Sequence, residues 1–361
     1  MEQTVTFGVE EEFYWLGGAI PWGSLLQAGS GFTFGQEAHA NTIEIISPIC
    51  HSLTQLASHL RQSRAFLRQE ASRYQSELFC GGTHPQLDGM TEPKNIGHYY
   101  QQVNDFLGVA LTDSLVFGQH LHIGGIPPAE IPGTLNRLRP YLPLLIALSA
   151  NSSHWRGHDT GLKAARICIL DKLPRTGIPP VMPSVPLYRK KITAIQQAGA
   201  YQYPKQVLYD ARYHLVHGTI EVRALDMQSC DHLAVAVALF TACLVTGLYQ
   251  KAPYLLDWQM DDEAIIHNRY EAIKHGIAAT FLDKTYQQQS ACSLLQHLLT
   301  HFSAPIKAAD EHAFWALQDK LSQNEAQPLC PARQRDPAAC LAGEFVVSPS
   351  DTTTHTALLN A

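Results

Sequence analysis

Residues 5–14, VTFGVEEEFY, alternate between apolar and polar side chains, which is typical of a β-strand with one buried face. The apolar face of this strand carries Phe7, Val9 and Phe13. Glu10 and Glu12 project from the opposite face. Glu11 falls on the apolar face, so we expect an ion pair or a strand end there rather than a ligand. The stretch predicts a strand that presents two carboxylates on its polar face.

Three later stretches repeat this division, namely 42–46 (TIEII), 117–126 (FGQHLHIGGI) and 219–225 (TIEVRAL). Each has an apolar face opposite a face of ionisable side chains. The ionisable residues are Glu44, His120, His122, Glu221 and Arg223. If the four strands belong to one sheet, its polar face gathers carboxylates, imidazoles and a guanidinium.

Such a cluster needs cations, because gathered carboxylates repel one another and raise one another's pKa. Divalent metal ions suit carboxylate oxygens with an occasional imidazole, and an arginine fork suits a phosphate or carboxylate. Divalent cations, their carboxylate ligands and an arginine are the groups that enzymes use to catalyse phosphoryl transfer. Each motif alone has a plainer interpretation: a zinc site or half-buried strand pair for His120 and His122, and a surface pair for Glu221 with Arg223. Repetition in four strands favours one shared site.

Helical periodicity separates the predicted strands. Ser52 and Gln55 form a capping box that begins one helix. Further helices are predicted over 98–112, 134–149, 233–249, 261–281 and 290–301. Strands scattered between long helices predict an α+β fold with an antiparallel or mixed sheet. We expect one domain over 1–361, with a pattern-poor tail after about residue 335.

A proline-rich segment, 174–186, interrupts the periodic elements and is predicted to be a loop. One hypothesis is that this loop closes over the substrate. No composition shift marks a domain boundary on either side of it.

Composition argues against several classes of partner. The chain has 361 residues and a formal net charge of −6, without the run of Lys or Arg that would track nucleic acid. Its longest apolar run, Leu233 to Tyr249, is 17 residues, fewer than the roughly 20 of a membrane span, so it predicts a buried helix. The N-terminus has no secretory-signal pattern, and the eight cysteines have no CxxC spacing. We therefore expect a soluble cytoplasmic protein.

Several familiar motifs are absent from the sequence: GxxxxGK[ST], GxSxG and HExxH. The glycine pairs also lack the strand–turn–helix context of a dinucleotide fingerprint. Any nucleotide would therefore bind without a P-loop.

A series of segments, in order along the chain, resembles the bacterial carboxylate–amine ligases of the glutamate–cysteine ligase type 2 group. The matching segments are FGVEEEF (7–13), QEAHANTIEIISPIC (36–50), CGGTHP (80–85) with a later Tyr99–Tyr100, FGQHLHIGG (117–125), LIALSANSSHWRGHDTGLKAARICI (145–169), TIEVRALD (219–226), HNRYEAIKHG (267–276) and ARQR (332–335). The second segment carries two acidic residues seven apart, Glu37 and Glu44. The resemblance covers nearly the whole chain.

The resemblance implies a glutamine-synthetase-like catalytic fold, in which an antiparallel sheet curves into a funnel with helices outside. It implies an ATP-dependent reaction that phosphorylates an amino-acid carboxylate and then joins the acyl group to an amine. The implied cofactors are ATP and Mg²⁺ or Mn²⁺, and the implied partners are small molecules or a further copy of the chain.

Residue roles follow from the same resemblance. The metal ligands would be Glu10, Glu12, Glu37, Glu44, His120 and Glu221. Arg223 would hold the transferring phosphoryl group, and His122 would lie near the nucleotide phosphates. Arg166 would bind the α-carboxylate of the amino acid; its alternative, in the apolar context AARICIL, is a buried structural ion pair.

Departures from the family pattern leave the substrates open. Residues 162–165 read LKAA where relatives usually have an aromatic residue and a serine, and Tyr270–Glu271 replace a common Trp and Arg. Two other functions compete: a phosphotransferase of related fold, like a guanidino kinase, and a non-catalytic relative that binds metal or nucleotide. A zinc hydrolase on His120 and His122 is disfavoured because further ligands at suitable spacing are missing.

Overall fold

Strands and helices alternate along the computed structural model, which describes residues 4–27, 31–200, 207–255 and 260–326. The strands are β1 (Thr6–Leu16), β2 (Thr33–Gln36), β3 (Thr42–Ile46), β4 (Glu77–Phe79), β5 (Gly118–Gly124), β6 (His154–Trp155), β7 (His158–Asp159), β8 (Ala211–His214), β9 (Thr219–Asp226), β10 (Thr280–Leu282) and β11 (Gln288–Ser290). The helices are α1 (Trp22–Gln27), α2 (Leu53–Arg73), α3 (His98–Leu107), α4 (Val109–Thr112), α5 (Ile131–Leu138), α6 (Leu142–Ser149), α7 (Ala165–Leu170), α8 (Val185–Ile195), α9 (Asp231–Tyr249), α10 (Asp262–His275), α11 (Ala291–Ala309) and α12 (Glu311–Ala326). The α+β class is confirmed. The ARQR segment and the predicted tail lie outside the described residues.

One antiparallel sheet of seven strands organises the fold. Its order is β2-β3-β1-β5-β9-β8, and β4 pairs with the end of β1. The four strands that the alternating sequence predicts are β3, β1, β5 and β9, which are consecutive neighbours in this sheet. Their polar faces therefore adjoin. A bulge between Gln119 and Leu121 shifts the register of β5 against β9 by one residue.

The apolar face of the sheet forms the main core together with the long helices. Val9, Leu121 and Val222 are buried there in one cluster with side chains of α9. By length and composition α9 could cross a membrane, but 72% of its most apolar window is buried inside the fold. Each large apolar side chain buried in this way stabilises the fold by about 1.5–3 kcal/mol. Core packing thus accounts for the hydropathy of α9, as the sequence predicts.

Glu11 lies on the core side of β1 and is neutralised there. Arg64 of α2 donates to both of its carboxylate oxygens, Nη2 to Oε1 at 2.7 Å and Nε to Oε2 at 2.9 Å. Both side chains are 1% exposed. Arg64 also reaches Asp231 of α9 at 3.1 Å. The prediction that Glu11 is ion-paired rather than a ligand is confirmed, because this carboxylate joins β1 to α2 and α9.

Helix boundaries differ from the sequence prediction where glycine or proline intervenes. The helix predicted over 134–149 is two helices, α5 and α6, separated by a 3₁₀ turn that contains Pro140. The helix predicted over 98–112 is divided at Gly108, whose φ is +57°. The helix predicted to reach residue 281 ends at His275, because Gly276 at φ +59° turns the chain toward β10.

Short strands account for most of the remaining differences. The connection between α6 and α7 contains the hairpin of β6 and β7. The strands β2 and β8, at the two edges of the main sheet, have four residues each and no clear alternation of polarity. They matter for the site, because each lies beside one of its carboxylate-bearing strands.

Candidate active site

The polar face of the sheet brings the predicted side chains into cross-strand register. Glu10 of β1 lies opposite His120 of β5, and Glu12 lies opposite Glu44 of β3. His122 lies opposite Glu221 of β9. Directly opposed residues of antiparallel strands have Cβ atoms about 4.5–5.5 Å apart. The clustering that the four alternating stretches predict is therefore present in the fold.

Potential ligand atoms on this face form three overlapping groups, within each of which they lie no more than 4.8 Å apart. The groups are Glu12 with Glu37 and Glu44, Glu10 with Glu44 and His120, and Glu10 with His122 and Glu221. Shared residues, Glu44 and Glu10, join the groups into a continuous row. We call this row, from Glu37 to Glu221, the carboxylate band. It contains all six residues predicted as metal ligands, and His122 as well.

The donor chemistry of the carboxylate band fits hard divalent cations. One group offers carboxylate oxygens alone, and each of the other two adds a single imidazole. Mg²⁺ and Mn²⁺ favour such oxygen-rich sets, whereas structural zinc sites favour thiolates and several imidazoles. The residues present therefore fit the cations that the family resemblance implies.

Glu10 is ionised at the centre of the band. Burial opposes its ionisation, but hydrogen bonds and attraction from His120 and His122 outweigh burial and hold the pKa of Glu10 well below its usual value. Its Oε2 lies 3.4 Å from His120 Nδ1, and its Oε1 lies 3.3 Å from His122 Nε2. Burial, followed by the charge of Arg223, lowers the pKa of His120. The lowered pKa of His120 favours its neutral imidazole, which is the state that ligates metals.

Glu221 is held between two arginines. Arg223 donates from Nη1 to Glu221 Oε1. Arg212 of β8 donates from Nε to Oε2 at 2.6 Å and from Nη2 to Oε1 at 3.1 Å. Burial opposes the charge of Glu221, but Arg212 and then Arg223 outweigh it and keep its pKa well below the usual value. This end of the band therefore combines a fixed carboxylate with a guanidinium, Arg223, that retains part of its surface exposed (19%).

Arg166 of α7 reaches the polar face beside His120 of β5. Its Nη2 lies 3.5 Å from His120 Nε2, and its Nη1 donates to the Arg223 carbonyl at 3.3 Å. Asp226 is the nearest carboxylate among the described residues, at 4.0 Å from Nη1, which is beyond hydrogen-bond distance. Within the described part of the chain, Arg166 Nε has no hydrogen-bond partner. The side chain is thus a buried cation with donors to spare, which favours an anion site over a completed structural ion pair.

Two further residues of this face were not predicted from the sequence. Arg212 lies on the short edge strand β8, in register with Glu221. Tyr100 of α3 donates its hydroxyl to the Gln36 carbonyl. Burial, followed by the charges of Glu37 and Glu44, raises its pKa. The Tyr99–Tyr100 pair in the family resemblance was the available signal for Tyr100, whereas nothing in the local pattern marked Arg212.

The fold is shared with solved structures of a glutamate–cysteine ligase and a bifunctional glutathione synthetase. A glutamate–cysteine ligase of Francisella tularensis, solved in complex with AMP, superposes with a TM-score of 0.60 at 12% identity over 95% of this chain and 88% of that one. A bifunctional glutathione synthetase of Pasteurella multocida gives a TM-score of 0.58 at 13% identity over 95% of this chain and 49% of that one. The expected glutamine-synthetase-like architecture, an antiparallel sheet with helices outside, is confirmed.

The chain belongs to glutamate–cysteine ligase family 2, whose family model matches residues 6–334. A candidate glutamate–cysteine ligase 2-1 of Rubrobacter xylanophilus is 31% identical over 252 residues, which are 68% of this chain and 65% of that protein. A candidate glutamate–cysteine ligase 2 of Sorangium cellulosum is 28% identical over 296 residues, 79% of each chain. The match to the Rubrobacter protein thus spans just under two thirds of its length.

Proposed function

We propose that this chain is an ATP-dependent carboxylate–amine ligase that forms an amide from an amino-acid carboxylate and an amine. The carboxylate band beside Arg223 carries this proposal, because it supplies cation ligands and an anion-binding guanidinium on one face of a ligase fold. Among the residues that the structure describes, the strands of the main sheet lie between Thr6 and Asp226, which supports a single catalytic domain. The burial of α9 inside the fold supports a soluble enzyme, and its place in the cytoplasm stays a prediction.

The metal ligands in this proposal are Glu10, Glu12, Glu37, Glu44, His120 and Glu221. When bound, Mg²⁺ or Mn²⁺ would neutralise phosphate charge and polarise the bonds of the transferring group. The protein's part is to hold the ligands in place beforehand. Hydrogen bonds to Glu221 from Arg212 and to Glu12 from the Gly118 N–H, at 2.6 Å, support this role.

Arg223 and His122 are proposed to contact the nucleotide phosphates. Burial opposes the protonation of His122, but Glu10 and Glu221 outweigh burial and raise its pKa. Its Nδ1 lies 2.8 Å from the Thr219 hydroxyl, which fixes the ring. His122 and Arg223 both adjoin Glu221, and an imidazole with a raised pKa together with a guanidinium suits the charge that spreads over a phosphoryl group in transfer. Arg223 and Glu221 are the residues that we propose as catalytic.

Arg166 is proposed to bind the α-carboxylate of the amino-acid substrate. Its buried guanidinium faces His120 and has an Nε without a partner among the described residues. Arginine binds a carboxylate through two parallel hydrogen bonds, which fixes orientation as well as charge. The amino acid would then be held with its reacting carboxylate toward the carboxylate band.

The proposed reaction has two steps. An oxygen of the substrate carboxylate attacks the γ-phosphorus of ATP, the bond to the β-phosphate oxygen breaks, and ADP leaves. The nitrogen of the amine then attacks the carbonyl carbon of the acyl phosphate, phosphate leaves with the bonding electrons, and the nitrogen loses a proton. Arg223 would stabilise the phosphoryl charge in the first step and the departing phosphate in the second.

Glutamate and cysteine, named in the family description, are the first substrate pair to test. The family departure at Leu162–Ala165 contacts α10, the helix that carries the other departure, Tyr270–Glu271. The Lys163 N–H and the Ala164 N–H both donate to the Ile273 carbonyl of α10, at 2.8 and 3.1 Å. Because Leu162–Ala165 directly precedes Arg166 and contacts the helix of the other departure, we propose that these departures alter the amino-acid pocket and leave the carboxylate band intact.

The deciding experiment measures phosphate release from ATP with Mg²⁺ against a panel of amino acids, each with and without a panel of amines. Products are identified by mass. We expect ADP, phosphate and a new amide that requires both substrates. A phosphorylated product that accumulates without amine would support a phosphotransferase instead. Nucleotide binding without turnover over the whole panel would support a non-catalytic relative.

A further inference from the structure

Gly118, the first residue of β5, lies where three groups of the proposed site converge. It shares the polar face of the strand with His120 and His122, because alternate residues point the same way. A β-carbon built on Gly118 would lie 2.1 Å from Arg166 Nη2, 2.8 Å from Arg166 Cζ and 2.9 Å from His120 Nε2. Contacts this short do not occur between real atoms, so any side chain at this position would displace the guanidinium or the imidazole.

The backbone itself does not require glycine here. The φ of Gly118 is not positive, so any L-residue could adopt its backbone conformation. A side chain at position 118 is therefore disfavoured only by steric clash with its neighbours. The space that Gly118 leaves empty is taken up by the end of Arg166, a buried side chain that arrives from α7.

We propose that Gly118 is a positioning residue that admits the Arg166 guanidinium to the polar face of the sheet and thereby forms the carboxylate-binding pocket. This inference rests on the proposed role of Arg166. Substrate recognition at Arg166 of α7 would then depend on the absence of a side chain at Gly118 of β5, 48 positions earlier in the chain.

The N–H of Gly118 has a second, separable role. It donates to Glu12 Oε2 at 2.6 Å and so orients one residue of the carboxylate band. Substitution by alanine keeps this N–H and adds only a methyl group. The Gly118→Ala variant therefore tests the space beside Arg166 without removing the hydrogen bond to Glu12.

Gly8 provides a matched control. It lies on β1 opposite His122, on the same polar face, and a β-carbon there would meet its nearest atoms, His122 Cβ and Ser47 Oγ, at 3.8 and 4.0 Å. These are ordinary contact distances. Gly8→Ala adds the same methyl group to the same sheet without a clash, so it reports the general effect of replacing glycine in a strand.

The first test is a double-mutant cycle on thermal stability, which needs no substrate. We expect Gly118→Ala to lower the Tm by several degrees and Gly8→Ala to change it little. In an Arg166→Ala background the loss from Gly118→Ala should fall to half or less, because the guanidinium is gone and only His120 remains crowded. An equal loss with and without Arg166 would overturn the proposal. If Gly118→Ala alone fails to fold, a soluble double variant supports the proposal and an insoluble one contradicts it.

The second test separates positioning from general damage. In the phosphate-release assay, Gly118→Ala should raise the KM of the amino acid by about tenfold or more and leave the KM of ATP within about twofold. The probe is L-glutamate, or the acid of the panel that the wild-type protein turns over. Equal changes in both KM values, or none, would overturn the inference. The ligase function and the positioning role of Gly118 can be rejected independently. An inactive wild-type protein would contradict the ligase function, whereas the double-mutant cycle on stability tests the role of Gly118 whether or not the protein is active.

Discussion

Arg212 on β8 donates two hydrogen bonds to Glu221 on β9, to Oε2 at 2.6 Å and to Oε1 at 3.1 Å. The pair follows from register, since the two residues lie directly opposite each other in the sheet. Their side chains are only 5% and 1% exposed. Arg223 also bonds Glu221 Oε1, so the carboxylate lies between two guanidinium groups. The orientation of Glu221 is therefore set by the protein alone.

Removing Arg212 should damage both stability and turnover. Arg212→Gln leaves a buried carboxylate with one fewer cation, and breaking a buried pair costs about 3–5 kcal/mol. We expect a marked loss of Tm and, at a temperature where the variant is folded, at least about a hundredfold loss of kcat. Thermal unfolding and phosphate release measure the two effects. Arg189→Gln, on the exposed side of α8, is the control. Unchanged kcat in a folded Arg212→Gln protein would separate Arg212 from the site.

Glu221→Gln breaks the same buried pair, so it is measured below its lowered Tm, where it should nearly abolish turnover while the protein remains folded. The amide has the shape of the carboxylate but carries no charge to bind a cation or to balance Arg212 and Arg223. Circular dichroism should show the wild-type spectrum, and phosphate release should fall by about three orders of magnitude. Near-normal turnover in a well-folded variant would remove Glu221 from the proposed metal site.

Two adjacent glutamates of β1 should respond in opposite ways, because they face opposite sides of the sheet. Glu11→Gln breaks the buried pair with Arg64, so we expect about 3–5 kcal/mol less unfolding free energy in urea. Glu12→Gln removes one of three gathered carboxylates, so we expect little loss of stability but loss of the Tm increase that Mg²⁺ or Mn²⁺ gives the wild type. Each variant is the control of the other. Similar behaviour of the two would contradict the assignment of the faces.

Acid should destabilise the protein partly through His84. Burial lowers the pKa of His84 to about 4, and its Nδ1 accepts from the Leu87 N–H at 3.0 Å, which requires an unprotonated nitrogen. The unfolded chain binds this proton near the ordinary value of 6.5. The stability contributed by neutral His84 is therefore full above pH 6.5 and is lost as the pH falls toward 4. His84→Asn keeps an acceptor and removes the titration.

The measurement for His84 is Tm against pH. We expect His84→Asn to show a shallower decrease between pH 6.5 and 4.5 than the wild type, and the exposed His51→Asn to follow the wild type. Identical slopes for all three proteins would show that another group dominates acid unfolding.

We expect the segment 174–186 to keep the same conformation with and without bound nucleotide. Asn136 of α5 bonds both the N–H and the carbonyl of Met182, at 2.8 and 2.9 Å, and Arg139 donates to the Pro179 carbonyl at 2.7 Å. The segment lines a cavity of about 240 Å³ beside Arg212. We expect equal proteolytic cleavage there with and without ATP, and faster cleavage in Asn136→Ala. Protection by ATP would support the lid hypothesis instead.

Much of the candidate site was predictable because strand periodicity is local information. Alternation places Glu10 and Glu12 on one face and Glu11 on the other, whatever the neighbours of β1 are. Sequence could also show that the four strands carry similar polar faces. It could not show which strands adjoin, because pairing depends on contacts between residues that are distant in the chain.

The parts that were not predictable are long-range. The edge strand β8 is short and without clear alternation, so nothing in it indicated that Arg212 would pair with Glu221. The need for glycine at position 118 could not be predicted from the local sequence either. Its φ is not positive, and a side chain is excluded only because the Arg166 side chain of α7 packs there. The predicted helix boundaries were wrong at Pro140 and Gly108, because each of these residues interrupts the helix that the surrounding periodic pattern predicts.

By itself the sequence determined the α+β class, the opposite faces of β1 and, through its resemblance to known ligases, the residues that form the carboxylate band. The tertiary structure decided the order of the strands, the sharing of Glu10 and Glu44 between ligand groups, and the partners that hold Glu221 and admit Arg166. The division has a physical reason. Side-chain direction along a strand is fixed by backbone geometry within a few residues, whereas distances between charged groups are set only when the whole sheet packs on its helices.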